Sequence, residues 1–236
     1  MGVGVQKAGT TWWYSLLARH PGIYEHRAFH KERHFFSPFW AGGFGPADAA
    51  EYHRWFPRPP GQITGEWTPD YLHQHWVGPL LHRAAPEARL LVLLRDPIER
   101  YRSGLAHHLE QGERITPILA SDAFMRGLCA DALERLDKIH GAGRILVLQY
   151  EACRDAPAAH LAETFRFLEL DDGWEPPDLA SLVNPARATK LHLDDGERHH
   201  LAELYADEVA RLSRRYPQLD LDRWPSTTNA QHVGGT

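Results

Sequence analysis

The sequence predicts a single α/β domain with a mostly parallel central sheet flanked by helices, and two observations carry that prediction. Three short apolar runs, 2–6, 89–94 and 144–150, have the composition of strands buried on both faces of a sheet. Each run is followed by a segment with apolar residues at helical spacing, and strands that alternate with helices favour parallel pairing. We therefore expect one domain over residues 1–225 and a flexible polar tail over residues 226–236.

The predicted helices have their own start signals and periodicity. The segment 11–20 (TWWYSLLARH) follows a glycine turn, while Pro97 and Pro157 stand where the first turn of a helix tolerates proline. Residues 197–216 keep their apolar side chains on one face, so this last helix is expected to pack on the sheet.

Residues 35–76 form a different kind of segment. They hold eleven of the chain's 25 Phe, Trp and Tyr residues, together with several prolines and glycines, which predicts a loop-rich insertion over the ligand-binding edge of the sheet. Most of these rings are expected in a local core. Trp67 and Tyr71 are the expected exceptions, because their polar atoms suit a wet-edged pocket.

Composition limits the choice of partners and location. The formal net charge of -5 and the pI of about 6.3 give no electrostatic reason to expect nucleic acid or an anionic membrane. We find no apolar run long enough to span a membrane and no signal-peptide pattern, so a cytoplasmic protein is expected. The two cysteines, Cys129 and Cys153, are expected to be reduced and structural.

The first glycine turn is almost a nucleotide-binding P-loop. Gly4, Gly9 and Thr11 match the pattern G-x-x-x-x-G-K-[ST], but Thr10 stands at the lysine position and Lys7 comes three residues early. A glycine turn that leads into a helix N-terminus directs backbone N–H groups at an anion. The early lysine suits a 5′-phosphate or phosphosulfate better than a magnesium-bound triphosphate.

A second basic stretch follows the second strand. Arg95 stands directly at the strand end, where a cation would bind phosphate, although Asp96 superficially fits a magnesium-binding aspartate. Ser103 lies about two helical turns further on and adds a hydroxyl only if the helix folds back across the strand end. The alternative is that Arg95, Arg100 and Arg102 form a solvated basic face.

Together the two stretches resemble the sulfotransferase family that uses 3′-phosphoadenosine 5′-phosphosulfate. The segment 6–12 (QKAGTTW) is similar to the family's 5′-phosphosulfate loop, and 95–103 is similar to its 3′-phosphate motif RDPxxRxxS. The segments 30–36 (HKERHFF) and 65–72 (GEWTPDYL) resemble elements of the heparan-sulfate-type branch and its bacterial relatives. The sequence departs from that branch at two positions. Arg33 stands where the branch usually has proline, and Trp67 stands where a basic residue is common. The tryptophan disfavours a polyanionic acceptor.

The resemblance implies a P-loop-NTPase-like sulfotransferase fold, the phosphosulfate donor, its product adenosine 3′,5′-bisphosphate, and no metal. It implies that Lys7 stabilises charge on the departing phosphate oxygen, that Lys31 lies near the transferring sulfuryl group, and that Glu66 is the general base. The acceptor is expected to be a small-molecule hydroxyl compound, whether sugar-bearing, phenolic or another natural product. The residues implied to bind the donor are Lys7, Ala8, Gly9, Thr10, Thr11, Trp12, Arg95 and Ser103.

Three alternatives stay open at this point. A P-loop kinase would share the sheet and the phosphate loop, and a non-catalytic nucleotide-binding module would keep the phosphate residues without needing Glu66. The histidines His26, His30 and His34 recur at four-residue spacing and form a rival zinc site, although no cysteine or carboxylate completes it. His34 is also an alternative base.

Overall fold

A computed structural model describes residues 1–25, 31–179 and 191–224. In this part of the chain the sheet has three parallel strands in the order β1-β2-β3, which are Gly2–Gly4, Leu90–Leu94 and Ile145–Gln149. Leu90 to Leu94 pair in register with Ile145 to Gln149, and Gly2 pairs with Leu91. The α/β class and the parallel sheet predicted from the sequence are confirmed.

Helices surround this sheet, with short 3-10 turns at Ser37–Ala41, Pro69–Leu72, Ala142–Arg144 and Leu221–Arg223. The described helices are α1 (Thr10–Leu17), α2 (Pro46–Trp55), α3 (Val77–Ala84), α4 (Pro97–Glu110), α5 (Pro117–Met125), α6 (Ala130–His140), α7 (Tyr150–Asp155), α8 (Pro157–Phe167) and α9 (Asp195–Arg215). The predicted helix starts at Pro97 and Pro157 are confirmed. Helices α5 and α6 were not anticipated, and α2 lies inside the segment expected to be loop-rich.

The core lies on both faces of the sheet. Every residue of β2 is buried, as the continuous apolar run predicted. Trp13 on α1, Leu81 on α3 and Phe165 on α8 have no exposed surface, so helices cover both sides of the strands. Both cysteines are buried free thiols. Burial of these side chains holds the strand ends in fixed positions, which is the condition for a preorganised site.

The aromatic segment is mainly core, but its expected exceptions are wrong. Trp67 is 1% exposed, and its ring lies so close to Gly2 that a Cβ there would fall 1.9 Å from it. Its indole N–H donates to the carbonyl oxygen of Gly4 at 3.1 Å. Tyr71 is equally buried, whereas Trp40 is 71% exposed. Trp67 is buried because residue 67 bridges to Gly2 beside β1, which directs the ring against the strand.

The other structural expectations have mixed outcomes. Arg100 is 1% exposed and therefore does not belong to a solvated basic face. Within the described ranges, no helix is both long enough and apolar enough to cross a bilayer. The predicted tail at residues 226–236 lies outside the described residues, as do His26 and His30.

Candidate active site

The carboxyl ends of the three parallel strands meet at one edge of the sheet, and the phosphate-loop residues lie there. Gly9 is the N-cap of α1 and has a φ of 82°, a conformation that favours glycine. A Cβ at this position would lie 2.6 Å from the ring of Tyr150, which follows β3 directly. Because Gly9 has no side chain to cap the helix, the first-turn N–H groups of α1 keep their anion-binding capacity.

Arg95 connects the first two strand ends. Its Nη1 donates to the backbone oxygen of Lys7 at 3.0 Å, and its guanidinium carbon lies 5.0 Å from the centre of the Tyr150 ring. Its Nε is buried and has no hydrogen-bond partner among the residues described. The two stretches that resemble donor motifs are therefore in direct contact, and an unsatisfied cationic donor lies between them.

Lys7 is half-buried at the same edge. Burial lowers the pKa of its ammonium group, the carboxylates of Glu110 and Glu32 oppose that effect, and Lys31 adds to it. These influences place Lys31, Glu32 and the end of α4 in the electrostatic neighbourhood of the phosphate loop. Two lysines in a partly desolvated setting are suited to stabilising negative charge that develops in a transition state.

Asp96 has a structural role. Its Oδ1 accepts hydrogen bonds from the N–H groups of Ile98 at 2.9 Å and Glu99 at 3.1 Å, so it caps α4. Its own N–H donates to Glu151 Oε1 at 3.0 Å, and the side chain is 2% exposed. A carboxylate engaged in this way is not arranged as the magnesium ligand of a kinase.

The remaining predicted donor residues differ in what they present. Ala8 has no exposed surface, and the Trp12 ring packs edge-on against Tyr150 at 6.0 Å between centroids. The role of these two residues toward a donor stays a prediction. Thr10 is buried in the first turn of α1, whereas Thr11 is exposed. Ser103 is half-buried on the second turn of α4. Its role toward a 3′-phosphate stays a prediction.

The two segments similar to the heparan-sulfate branch are joined by hydrogen bonds. Thr68 has no exposed surface, and its hydroxyl oxygen accepts from the N–H groups of Arg33 at 3.1 Å and His34 at 3.4 Å. The N–H of Trp67 donates to the carbonyl oxygen of Lys31 at 3.2 Å. Residues 31–34 and 65–68 therefore form one unit beside β1.

Glu66 lies inside this unit and is 3% exposed. Its Oε2 accepts from the Thr68 hydroxyl at 2.6 Å and from the Arg33 N–H at 3.2 Å, while its Oε1 accepts from the Tyr71 hydroxyl at 3.2 Å. Burial raises the pKa of the Glu66 carboxyl to about 7, and these hydrogen bonds only partly oppose the rise. The Glu66 carboxyl group therefore titrates near neutral pH, but it is surrounded by hydrogen-bond donors.

Glu32 is a candidate that the sequence argument did not assign. Its Oε1 accepts from Lys31 Nζ at 2.5 Å, and its Oε2 lies 3.7 Å from His34 Nε2. Its side chain is 45% exposed, whereas that of Lys31 is 11% exposed. The clue in the sequence was its place in the KExHFF-like element, directly after the predicted sulfuryl-binding lysine.

The described ranges contain no candidate metal site. Across residues 1–25, 31–179 and 191–224, no group of three or more His, Cys, Asp or Glu side chains could hold a metal ion. His34 pairs with Glu32, and the other two histidines of the rival zinc site lie outside these ranges. The expectation of a metal-free reaction stays a prediction.

The fold is that of a sulfotransferase. The chain superposes on a sulfotransferase crystal structure from Alicyclobacillus acidocaldarius with a TM-score of 0.75, covering 94% of this chain and 96% of that one at 24% identity. At this identity the match shows the shared fold.

Sequence relatives extend the similarity to the heparan-sulfate branch. The chain is 34% identical over 127 residues to human heparan sulfate glucosamine 3-O-sulfotransferase 6, which is 53% of this chain and 34% of that protein. It is 29% identical over 184 residues to mouse heparan sulfate glucosamine 3-O-sulfotransferase 3B1, which is 71% of this chain and 45% of that protein. The Dictyostelium discoideum membrane-associated sulfotransferase kil1 is 33% identical over 98 residues, 42% of this chain and 20% of that protein.

These matches confirm the resemblance drawn from the motifs, because the chain is similar to heparan-sulfate-type sulfotransferases in sequence and to a bacterial sulfotransferase in fold. The chain spans less than half the length of each of these three curated relatives. No family model matches it.

Proposed function

We propose that this protein transfers a sulfuryl group from 3′-phosphoadenosine 5′-phosphosulfate to a hydroxyl group of a small-molecule or sugar-bearing acceptor. The observation that carries the proposal is the contact of Arg95 with the Lys7 carbonyl and the Tyr150 ring. This contact brings the loop suited to a 5′-phosphosulfate and the cation suited to a 3′-phosphate to one edge of the sheet. The sulfotransferase relatives support the reaction class.

The residues present fit such a donor. The uncapped first turn of α1, the hydroxyls of Thr10 and Thr11, and Lys7 would hold the 5′ end, while Arg95 and Ser103 would hold the 3′-phosphate. Gly9 has a φ of 82° and no side chain, so it leaves the N-terminus of α1 uncovered for an anionic group. The donor supplies the activated sulfuryl group when bound, and Lys7 and Lys31 stabilise the negative charge that develops around it.

The acceptor hydroxyl needs a proton acceptor, and two carboxylates are candidates. Glu66 was predicted for this role, and its pKa of about 7 suits a base that works at neutral pH. Glu32 is better exposed and lies between Lys31 and His34. Because Glu66 is 3% exposed and already accepts three hydrogen bonds, we assign proton removal to Glu32 and keep Glu66 as the rival.

The other candidate functions have less support. A kinase needs a magnesium ligand near the strand end, and Asp96 instead caps α4. A non-catalytic binding module does not need Lys7 and Lys31 near the Glu32 carboxylate. The cytoplasmic location and the absence of a nucleic-acid partner stay predictions from composition.

The proposal is tested by incubating the protein with the phosphosulfate donor and a panel of sugar-bearing and phenolic acceptors. We expect a sulfated product by mass spectrometry, release of adenosine 3′,5′-bisphosphate, and unchanged turnover in EDTA. Transfer of phosphate from ATP that EDTA abolishes would identify a kinase instead. Tight donor binding with no turnover on any acceptor of the panel would favour the binding module.

A further inference from the structure

A small cavity lies beside Arg95, among the end of β2, α4, the start of α6, and α9. It has room for about one water molecule, and its lining is largely apolar. Three of the lining residues are charged, namely Arg95, Arg100 and Glu208. Buried charged groups around a largely apolar space need polar partners, because burial removes their hydration.

Arg100 is the most deeply buried of the three, at 1% exposure. Its Nη2 donates to the carbonyl oxygen of Ala123, but its Nε and Nη1 are buried and have no hydrogen-bond partner among the described residues. Burial lowers the pKa of this guanidinium group. The Tyr205 hydroxyl opposes this effect as a hydrogen-bond partner of Arg100. A buried guanidinium has more N–H groups than one such partner satisfies, so a further acceptor beside it is favourable.

Glu208 lies on α9, also lines the cavity and is 6% exposed. Its Oε1 accepts from the N–H groups of Cys129 and Ala130, both at 2.6 Å, at the start of α6. The nearby Arg95 contributes a third unpartnered donor, its Nε. The cavity lining therefore includes two cationic side chains and one carboxylate.

We propose that one ordered water molecule occupies this cavity, accepts hydrogen bonds from Arg95 and Arg100, and donates one to the Glu208 carboxylate. Water suits this set because it accepts and donates at once and makes two to four hydrogen bonds when buried. A chloride ion would accept from the arginines but would face the Glu208 carboxylate without a proton to donate. The water turns two separate buried charges into a bridged ion pair.

This bridge makes Arg100 and Glu208 positioning residues for Arg95, an inference that rests on the proposed donor site. Arg95 is otherwise held by one hydrogen bond to the Lys7 carbonyl and by the Tyr150 ring. A second anchor at its Nε would fix the plane of the guanidinium that faces the 3′-phosphate. Loss of the bridge should therefore weaken recognition of the 3′-phosphate and leave the 5′ end unaffected.

The experiment combines a structure with nucleotide binding. A high-resolution crystal structure of the whole chain, soaked in bromide, should show a water within hydrogen-bond distance of Arg95, Arg100 and Glu208 and no anomalous bromide signal there. Calorimetry then compares adenosine 3′,5′-bisphosphate with 5′-AMP. Arg100→Met should reduce the preference for the bisphosphate by about tenfold, as expected for one lost hydrogen bond to a charged group, with 5′-AMP affinity unchanged.

Two further variants keep the test decisive. Val209→Leu adds volume to the cavity lining without changing a charge, and it should reduce the same preference even if Arg100→Met does not fold. Arg166→Met is the matched control, because Arg166 is 69% exposed and pairs with Asp172 on the surface. Its preference should equal that of the wild type.

Several results would overturn the inference. Bromide in the cavity, no density there, or a folded Arg100→Met or Val209→Leu variant with the wild-type preference each contradict the water bridge. A wild-type protein with no preference for the bisphosphate contradicts the donor assignment instead, and the crystallographic water then decides the bridge alone.

Discussion

The candidate active site has a proposed donor half and a proposed acceptor half, and the two are assembled in different ways. The proposed donor half consists of residues that come after strand ends: Arg95 and Tyr150 directly follow β2 and β3, and Lys7 and Gly9 lie in the turn between β1 and α1. The acceptor half consists of residues 31–34 and 65–68, which depend on hydrogen bonds to each other through Thr68. The comparison teaches that a parallel sheet alone can bring the proposed phosphate-binding residues together, whereas the proposed acceptor side needs a long segment to fold over the edge.

The largest expected effect concerns the support of the acceptor half. Trp67→Ala should lower the free energy of unfolding by about 3–5 kcal/mol, because a fully buried ring against Gly2 and its bond to Gly4 are lost. Denaturant unfolding measures this loss. Trp40→Ala is the control and should stay within about 0.5 kcal/mol, since Trp40 is 71% exposed. A large rise in acceptor KM with unchanged stability would contradict this account and show that Trp67 lines the acceptor pocket.

The next effect concerns the donor half. Lys7→Ala should lower kcat by about a hundredfold to a thousandfold, as expected when one preorganised group that stabilises transition-state charge is removed. Donor affinity should fall only in part, because the helix N-terminus and Arg95 remain. Steady-state kinetics and calorimetry separate the two effects. Lys138→Ala, whose side chain is 71% exposed on α6, should have wild-type kinetics.

Glu66 gives the acceptor half a pH dependence of stability. Its folded-state pKa of about 7 lies above its ordinary value of 4.5, so between these values the folded protein keeps a proton that the unfolded chain releases. The Glu66 contribution to stability is therefore greatest below pH 4.5, declines as pH rises to about 7, and then levels off.

Denaturant unfolding of Glu66→Gln and of the wild type at several pH values tests this direction. The difference in their free energies of unfolding should shift in favour of the variant between pH 5 and pH 8, by no more than about 3 kcal/mol in total. A shift in favour of the wild type over the same window would show that the Glu66 pKa is lowered rather than raised.

A smaller effect separates the two candidate bases. Glu32→Gln should reduce kcat by about a hundredfold, the typical contribution of a general base, while donor affinity is unchanged. Glu66→Gln should reduce kcat less, because the amide still accepts from Thr68 or Arg33. If Glu66→Gln is the more damaging change and Glu32→Gln keeps most activity, the base is Glu66 as the sequence predicted.

The fold and the donor half were predictable because their signals are local. A continuous apolar run predicts a strand, and a glycine turn or an arginine after it predicts what lies at that end of the sheet, as with Gly9 and Arg95. The burial of Trp67 was not predictable, because it depends on residue 67 bridging to Gly2 across 65 positions of sequence. The burial of Arg100 was not predictable for a similar reason, since it depends on α5 and α9 packing against α4.

The most direct test of the central claim is calorimetric titration of the wild-type protein with adenosine 3′,5′-bisphosphate, 5′-AMP and ATP under identical salt. Since charge-assisted hydrogen bonds from Arg95 and Ser103 should each contribute about 1.5–3 kcal/mol, the bisphosphate is expected to bind at least about tenfold more tightly than 5′-AMP. Equal affinities for the bisphosphate and 5′-AMP, or tighter binding of ATP, would contradict a donor site built for a 3′-phosphate.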